Sequence, residues 1–178
     1  MPNQSKEGVT QLALDATVQP TKRVEGTSSI SEIYDQAGVA LNANDSARAE
    51  QLYRQAAAVE PASAQPYIGL GSALLQSGDI AGARAAYRDA LARSPDSPSA
   101  HLGLGSVENQ SGNYQQAIDE YQLVLRAKPD DADAHWGLAV TYRSLGDAAN
   151  ASSHAKQFLT IAPNSPLVPQ MRLIVRGE

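Results

Sequence analysis

The sequence predicts an all-α protein built from four consecutive helix pairs. The first observation is a fixed period, because four prolines recur at one constant interval, at Pro61, Pro95, Pro129 and Pro163. The second is a pair of turn-forming residues that recurs with the same step, at 44–45, 78–79, 112–113 and 146–147. The third is an apolar content carried mainly by Ala, Leu, Ile and Val, with few aromatic residues. A period of this length indicates supersecondary units that must stack to bury their apolar faces.

Each turn pair is predicted to end one helix and begin the next. Gly, or Asn in its place, can adopt the left-handed backbone that terminates a helix. The Asp or Asn that follows can accept hydrogen bonds from the free N–H groups of the next helix. Each unit therefore holds a first helix, A, and a second helix, B. The A helices are predicted at about 30–43, 64–77, 98–111 and 132–145, and the B helices at about 46–60, 80–94, 114–128 and 148–161.

Capping residues mark the starts of the A helices. The first A helix opens with a capping-box pattern formed by Ser29 and Glu32. Pro cannot continue a helix, and two places after each repeating Pro comes a further capping residue. These residues are Ser63, Ser97, Asp131 and Ser165.

A short helix is predicted to start at Ser165 and to cap the last B helix, as the ends of stacked repeats require. Pro169 falls within its first turn and is expected to delay or distort the start. Leu173 adds apolar surface away from the packed face. That face is expected to carry Leu167, Met171, Ile174 and Val175.

The repeating positions resemble the consensus of the tetratricopeptide-repeat (TPR) family over about residues 30–163. The second repeat carries Tyr67, Leu70, Gly71, Leu74, Gly78, Asp79, Ala83, Tyr87, Ala90 and Pro95. The third keeps Leu104, Gly105, Gly112, Ala117, Tyr121 and Pro129, and the fourth keeps Leu138, Ala139, Tyr142, Gly146, Ala151 and Pro163. The first is looser, with Gln36 and Ala37 where Leu-Gly is expected.

The resemblance implies a right-handed TPR superhelix, an alpha-alpha solenoid of four helix-turn-helix repeats plus a short C-terminal capping helix. It also implies a concave surface lined by the A helices. Proteins of this family are interaction scaffolds, so the expected function is protein–protein interaction without enzymatic activity.

The chain is expected to divide into three parts. Residues 1–28 are rich in Ser, Thr, Gln, Pro and Gly and are predicted to be a flexible tail. The tail holds a short apolar stretch from Val9 to Val18, so the alternative is a segment that docks on the solenoid or on a partner. Residues 165–178 form the capping helix and the end, which could mediate homodimerisation. Residues 29–163 hold the repeats, in the registers 30–63, 64–97, 98–131 and 132–165.

Composition excludes several classes of function. The net charge is −5 and the sequence has no dense Lys/Arg block, which argues against nucleic acid as a partner. The absence of Cys excludes disulfides and thiolate metal sites. No apolar run is long enough for a transmembrane segment. No Gly-rich phosphate loop or catalytic constellation is present, so neither cofactor nor metal is expected.

The histidines are predicted to pack at helix interfaces. His101 and His135 are one period apart and hold equivalent places on neighbouring A helices, where the family has an aromatic residue. A metal site would need further ligands at short range, and no Asp, Glu or His recurs with the same step to supply them.

The resemblance places the partner-binding groove at fixed positions of the A helices. Only Arg143 is a cation there, so the groove lacks the Lys, Asn and Arg set with which TPR co-chaperones bind a C-terminal carboxylate. The expected occupant is an apolar or amphipathic protein segment. The alternative is that neighbouring A helices or the chain's own tail fill this stripe. The predicted groove residues are Tyr34, Leu41, Ile68, Ser72, Leu75, Leu102, Ser106, Asn109, Asp133, Trp136, Val140 and Arg143.

The layout of the chain is similar to that of TPR lipoproteins of Tad-type pilus and secretin assembly. It combines a polar leader with a short, Ala-rich, Lys-poor repeat array. This similarity implies a role in assembly of a bacterial envelope complex, a pilus or a secretion system. It would place the protein in the periplasm, with a lipid anchor on a native N-terminal Cys removed from this sequence. The alternative is a cytosolic TPR adaptor or chaperone-like subunit.

Overall fold

The computed structural model describes residues 29–177. Within that range the chain forms nine α-helices and no strands. Successive helices pack against each other, and α3, α5 and α7 also contact their A-helix neighbours. The predicted all-α solenoid is therefore confirmed. The helices are α1 Ile30–Asn42, α2 Ser46–Val59, α3 Gln65–Ser77, α4 Ile80–Arg93, α5 Pro98–Gln110, α6 Tyr114–Ala127, α7 Ala132–Leu145, α8 Ala148–Ile161 and α9 Val168–Arg176.

The turn pairs end and cap the helices largely as predicted. Gly78 and Gly146 adopt φ of 86° and 84° at the ends of α3 and α7. The Asp79 carboxylate accepts from Gly82 N at 2.9 Å, and Asp147 caps α8 in the same way. Asn113 differs, because its side chain makes no cap and instead donates to Glu108 Oε2 at 2.7 Å. Backbone conformation therefore suffices to start α6.

The predicted caps of the A helices are confirmed at three of five positions. Ser29 and Glu32 form a reciprocal capping box at the start of α1. Two further caps are provided by Ser97 and Asp131. The other two helices start later than their predicted capping residues: α3 has Ala64 at its N-cap and α9 has Leu167. Pro169 accounts for the late start of α9. A Pro is tolerated in the first turn of a helix, where its missing N–H needs no partner, so the helix begins at Val168 and not near Ser165.

Tyrosines of the B helices occupy holes formed by glycines of the A helices. The ring of Tyr87 lies between Gly71 of its own repeat and Gly103 of the next repeat. A Cβ added to Gly103 would come within 2.2 Å of that ring. Tyr121 lies in the same way against Gly105 and Gly137. These contacts explain why the small residues recur with the period.

The last contact between helix pairs reverses this size pattern. Ala155 holds the tyrosine position on α8, and Met171 holds the glycine position on α9. Both side chains are fully buried in one core cluster with Phe158 and Ile174. The large side chain is thus supplied by the capping helix and the small one by the B helix.

The first helix presents a polar face to the N-terminal side. Glu32 and Asp35 are exposed on α1, whereas Pro66 and Gly69 hold the same positions on α3 and are buried against the preceding repeat. Val39 is the apolar exception on this face, with 68% of its surface exposed. A polar outer face is typical of the terminal repeat of a solenoid.

A buried ion pair joins the second and third repeats. Arg84 on α4 donates to both carboxylate oxygens of Glu108 on α5, at 2.7 and 3.1 Å. Hydrogen bonds from Arg84 hold the pKa of the Glu108 carboxyl below its usual range, against the opposing effect of burial. Glu108 is only 2% exposed, so its contact with Arg84 is shielded from solvent.

Candidate functional site

A cavity of about 330 Å³ opens between the A helices α3, α5 and α7. Residues from three consecutive repeats line it, so its shape depends on the stacking of the repeats. Seven of the twelve predicted groove residues meet there: Ile68, Ser72, Leu75, Leu102, Ser106, Asp133 and Trp136.

Two tyrosine hydroxyls from the B helices form part of the cavity floor. Tyr87 Oη lies 3.0 Å from Ser72 Oγ, and Tyr121 Oη lies 3.3 Å from Ser106 Oγ. Ser72 donates its proton to the Ile68 carbonyl, so Tyr87 donates to Ser72. Burial raises the pKa of both phenols, so both hydroxyls stay protonated at neutral pH.

These tyrosines were recognised from sequence as consensus positions of the repeat and not as groove residues. A usable signal was present, because a buried phenol normally finds a hydrogen-bond partner. Ser72 precedes Tyr87 by the same interval at which Ser106 precedes Tyr121. That shared spacing connects the groove position of the A helix to the tyrosine of the B helix in both repeats.

Trp136 belongs both to the cavity wall and to the core of the last repeat. Its ring lines the cavity and also packs against the cluster that contains Met171 and Phe158. The indole Nε1 atom is buried and has no hydrogen-bond partner within residues 29–177. The ring therefore contributes apolar contact area, and its N–H contributes no hydrogen bond.

The other five predicted groove residues lie outside this cavity. The Tyr34 hydroxyl donates to Glu60 at 2.8 Å, and burial together with Glu60 raises the pKa of Tyr34 to about 12. Leu41 packs in the core of the first repeat, and Val140 packs against the last cluster. Asn109 is half-buried, with Oδ1 unpaired within the described range. Arg143 lines a separate hollow of about 180 Å³ beside α9.

The cavity is apolar with hydroxyl groups and one carboxylate. Asp133 is the charged residue on its wall, and none of the lining residues is Lys or Arg. A carboxylate ligand would therefore find no cation in this cavity, whereas apolar side chains would find Ile68, Leu102 and Trp136. The lining favours an apolar segment, with a neutral or basic residue near Asp133.

The A-helix histidines lie at helix interfaces and make polar contacts as well. His101 bonds to Glu120 and to the Pro95 carbonyl, and His135 bonds to His154 and to the Pro129 carbonyl. Between residues 29 and 177, no three His, Asp or Glu side chains are grouped so as to hold a metal ion. The expectation of no metal stays a prediction.

A second cavity, of about 500 Å³, lies at the C-terminal end of the solenoid. Leu159 and Leu173 supply apolar surface, and Arg172 supplies charge. Leu173 is 39% exposed, as expected for a residue off the packed face of α9. None of the described helices is long and apolar enough to cross a membrane.

Family comparison agrees with this architecture. The tetratricopeptide-repeat model matches residues 34–98, 68–132 and 110–166. The chain belongs to the tetratricopeptide-repeat family. No curated protein sequence matches the chain. As a TPR protein it has the fold of a family that binds protein partners.

Solved structures share the TPR fold at low sequence identity. A thermophilic TPR protein from Thermus thermophilus, TTC0263, has a TM-score of 0.77 and 20% identity, over 85% of this chain and 84% of that one. PilW, a type IV pilus biogenesis factor, has a TM-score of 0.73 and 21% identity, over 82% and 67%. MamA has a TM-score of 0.63 and 22% identity, over 75% and 73%.

Proposed function

We propose that this TPR protein is a non-enzymatic scaffold whose concave groove binds an apolar or amphipathic segment of a partner protein. The observation that carries the proposal is the cavity between α3, α5 and α7. Its wall brings Ile68, Leu102 and Trp136 together from three repeats. Each of these side chains keeps part of its surface accessible.

The size and chemistry of the cavity indicate how the segment would bind. At about 330 Å³ the cavity lies at the lower end of the range for ligand pockets, about 300–1,000 Å³. It therefore suits a few anchoring side chains of a longer segment. Trp136 is the strongest anchor, because buried aromatic residues dominate interface energetics. Asp133 would favour a basic residue beside the anchors and would affect association rate more than affinity.

The groove is tested by a pair of identical substitutions. Leu102→Glu places a carboxylate in the cavity, whereas Leu123→Glu places one on α6, outside it, where Leu123 is already 37% exposed. Captured proteins should be identified after pull-down with wild type and both variants, and the affinity measured for any direct partner. We expect Leu102→Glu to lose binding and Leu123→Glu to retain it. Equal binding by both folded variants would contradict the groove.

For the cellular role we propose assembly of a bacterial envelope complex, a pilus or a secretion system. The layout of the chain supports it, and PilW, a pilus biogenesis factor, shares the fold. A cytosolic adaptor or chaperone-like subunit is the second candidate. The native gene start distinguishes the two: a signal peptide ending in a lipidated Cys supports the envelope role, and its absence supports the cytosolic one. Homodimerisation through the α9 end stays a prediction, tested by light scattering.

A further inference from the structure

Two histidines face each other between the helices of the last repeat. His135 on α7 and His154 on α8 approach with their Nδ1 atoms 3.0 Å apart and their ring centroids 5.2 Å apart. Tyr142 stacks on His154, with the two rings nearly parallel. The same two places in the preceding repeat, one period earlier, hold His101 and Glu120.

The contacts fix the protons of the neutral histidine pair. The Pro129 carbonyl can only accept, so His135 Nε2, 3.0 Å away, carries a hydrogen. In a neutral His135 ring, Nδ1 is then an acceptor. His154 must therefore donate through Nδ1–H. The hydrogen bond between α7 and α8 thus requires that at least one of the two rings is neutral.

Added protons weaken this contact in two steps. A first proton can bind at His154 Nε2 without breaking the hydrogen bond, but it charges a partly buried ring. A second proton, on His135 Nδ1, puts two N–H donors face to face and brings two positive charges together. Burial and the neighbouring His135 lower the pKa of His154, in agreement with the cost of charging it.

The histidine of the preceding repeat has different partners. His101 Nε2 faces the Pro95 carbonyl at 2.9 Å, and Nδ1 faces the Glu120 carboxylate at 2.7 Å. Both ring nitrogens therefore face acceptors, which suits a protonated imidazole. At the equivalent place the fourth repeat has a second imidazole instead of a carboxylate, so its partner becomes a donor when it is protonated.

The neighbouring charged groups are engaged elsewhere. Glu120 on α6 pairs with His101, and Asp131 at the start of α7 pairs with Lys128 at 3.2 Å. Asp147 caps the start of α8. Within residues 29–177, no carboxylate forms an ion pair with His135 or His154. No nearby anion therefore compensates a charged pair.

We propose that the His135–His154 pair is a proton-sensitive contact that holds α7 to α8 at neutral pH and loosens the last repeat when acid protonates the pair. α8 carries the contact with α9, and Trp136 on the groove wall directly follows His135 in the sequence. Acidification would therefore also change the packing at the end of the groove. The proposal does not depend on what the groove binds.

The test exchanges the residues that face the A-helix histidine in the third and fourth repeats. In the full chain, His154→Glu recreates the His–Glu pair of the third repeat, and Glu120→His recreates the His–His pair in the third repeat. Tm is measured at pH 7.5 and pH 5.0, a range in which most carboxylates stay ionised. Relative to wild type, we expect His154→Glu to shift the Tm difference between the two pH values by about 3 °C or more in favour of acid. Glu120→His should shift it the other way.

A second variant keeps the test decisive if His154→Glu does not fold. His135→Tyr places at this position the residue found in the second repeat, where the Tyr67 hydroxyl points to the Pro61 carbonyl at 3.5 Å. Trp136 is the single tryptophan of the chain, so its emission reports on α7 directly. We expect a red shift on acidification of wild type that His135→Tyr abolishes. The same pH response in wild type and in the folded variants would overturn the proposal.

Discussion

Tyr87 occupies the space that a side chain on Gly103 would need: a Cβ there would lie 2.2 Å from the ring. The Tyr87 ring is only 3% exposed and lies against Gly71 on its other side, so it has little room to move. One aromatic side chain thus fixes the distance between two successive A helices.

The first prediction is that Gly103→Ala destabilises the solenoid in spite of better helix propensity. Overpacking against Tyr87 should lower the free energy of unfolding by about 1–3 kcal/mol. Gly38 on α1 is the matched control, because a Cβ there meets nothing within 4 Å. Gly38→Ala should raise stability by up to about 1 kcal/mol. Urea denaturation of both variants measures the difference, and equal effects would contradict the contact.

The second prediction concerns Trp136. We expect Trp136→Ala to weaken partner binding by about 2 kcal/mol or more and also to lower stability, because the ring packs on the last core cluster. Trp136→Phe should retain most of the partner affinity and most of the stability, since the indole N–H has no hydrogen-bond partner among the described residues. Affinity and thermal melts of the same variants should be compared. If Trp136→Ala unfolds part of the protein while its folded fraction binds normally, Trp136 belongs to the core alone.

The third prediction concerns the buried ion pair. Glu108→Gln should lower stability at pH 7 by about 1.5–3 kcal/mol, because it leaves Arg84 without its charged partner. The pKa of Glu108 is depressed in the folded protein, so its stabilisation is present above the unfolded pKa and is lost as pH falls through the folded value. Glu50→Gln, which breaks the exposed Glu50–Arg54 pair, should change little. The difference in stability between wild type and Glu108→Gln should start to shrink as pH falls below about 4.3, the unfolded pKa of Glu, and should disappear only below the depressed folded pKa of Glu108. A difference that does not shrink with acid would contradict the role of the charge.

The fourth prediction separates an empty groove from one occupied by the chain itself. Residues 1–28 lie outside the described range, so the predicted tail is open to test. Deleting residues 1–27 keeps the capping box of Ser29 and Glu32, and Tm should stay nearly unchanged. Affinity for a partner should also be unchanged. A large fall in Tm together with tighter partner binding would indicate that the segment from Val9 to Val18 occupies the groove.

The constant repeat period made the helices, their turns and the small packing residues predictable from sequence, because each repeat position occurs several times in one chain. The predicted groove residues come together in one cavity only in the middle of the array. Tyr34 and Arg143 hold equivalent positions to central residues, but at the ends of the array other contacts engage them: Glu60 for Tyr34, and the hollow beside α9 for Arg143.

Departures from the period were visible in sequence, but their partners were not. Ala155 interrupts the tyrosine series, yet only the structure shows that Met171 of α9 supplies the missing volume in the same cluster. Likewise the pairing of His135 with His154 depends on the side-by-side packing of α7 and α8. Contacts between side chains of different helices require the relative positions of those helices, which the repeat pattern does not give.

The orientation of the tyrosine–glycine contacts determines where the array could be lengthened. Suppose that a second copy of residues 64–97 is inserted after residue 97. Gly69 of the inserted copy would then contact Tyr87 of the original repeat, and the tyrosine of the inserted copy would contact Gly103. The same block inserted before α9 would set Ala155 opposite a glycine, leaving a void, and a tyrosine opposite Met171, producing a clash. Internal repeats of this chain are therefore interchangeable modules, whereas α8 and α9 form a matched terminus that duplication or engineering must move as one unit.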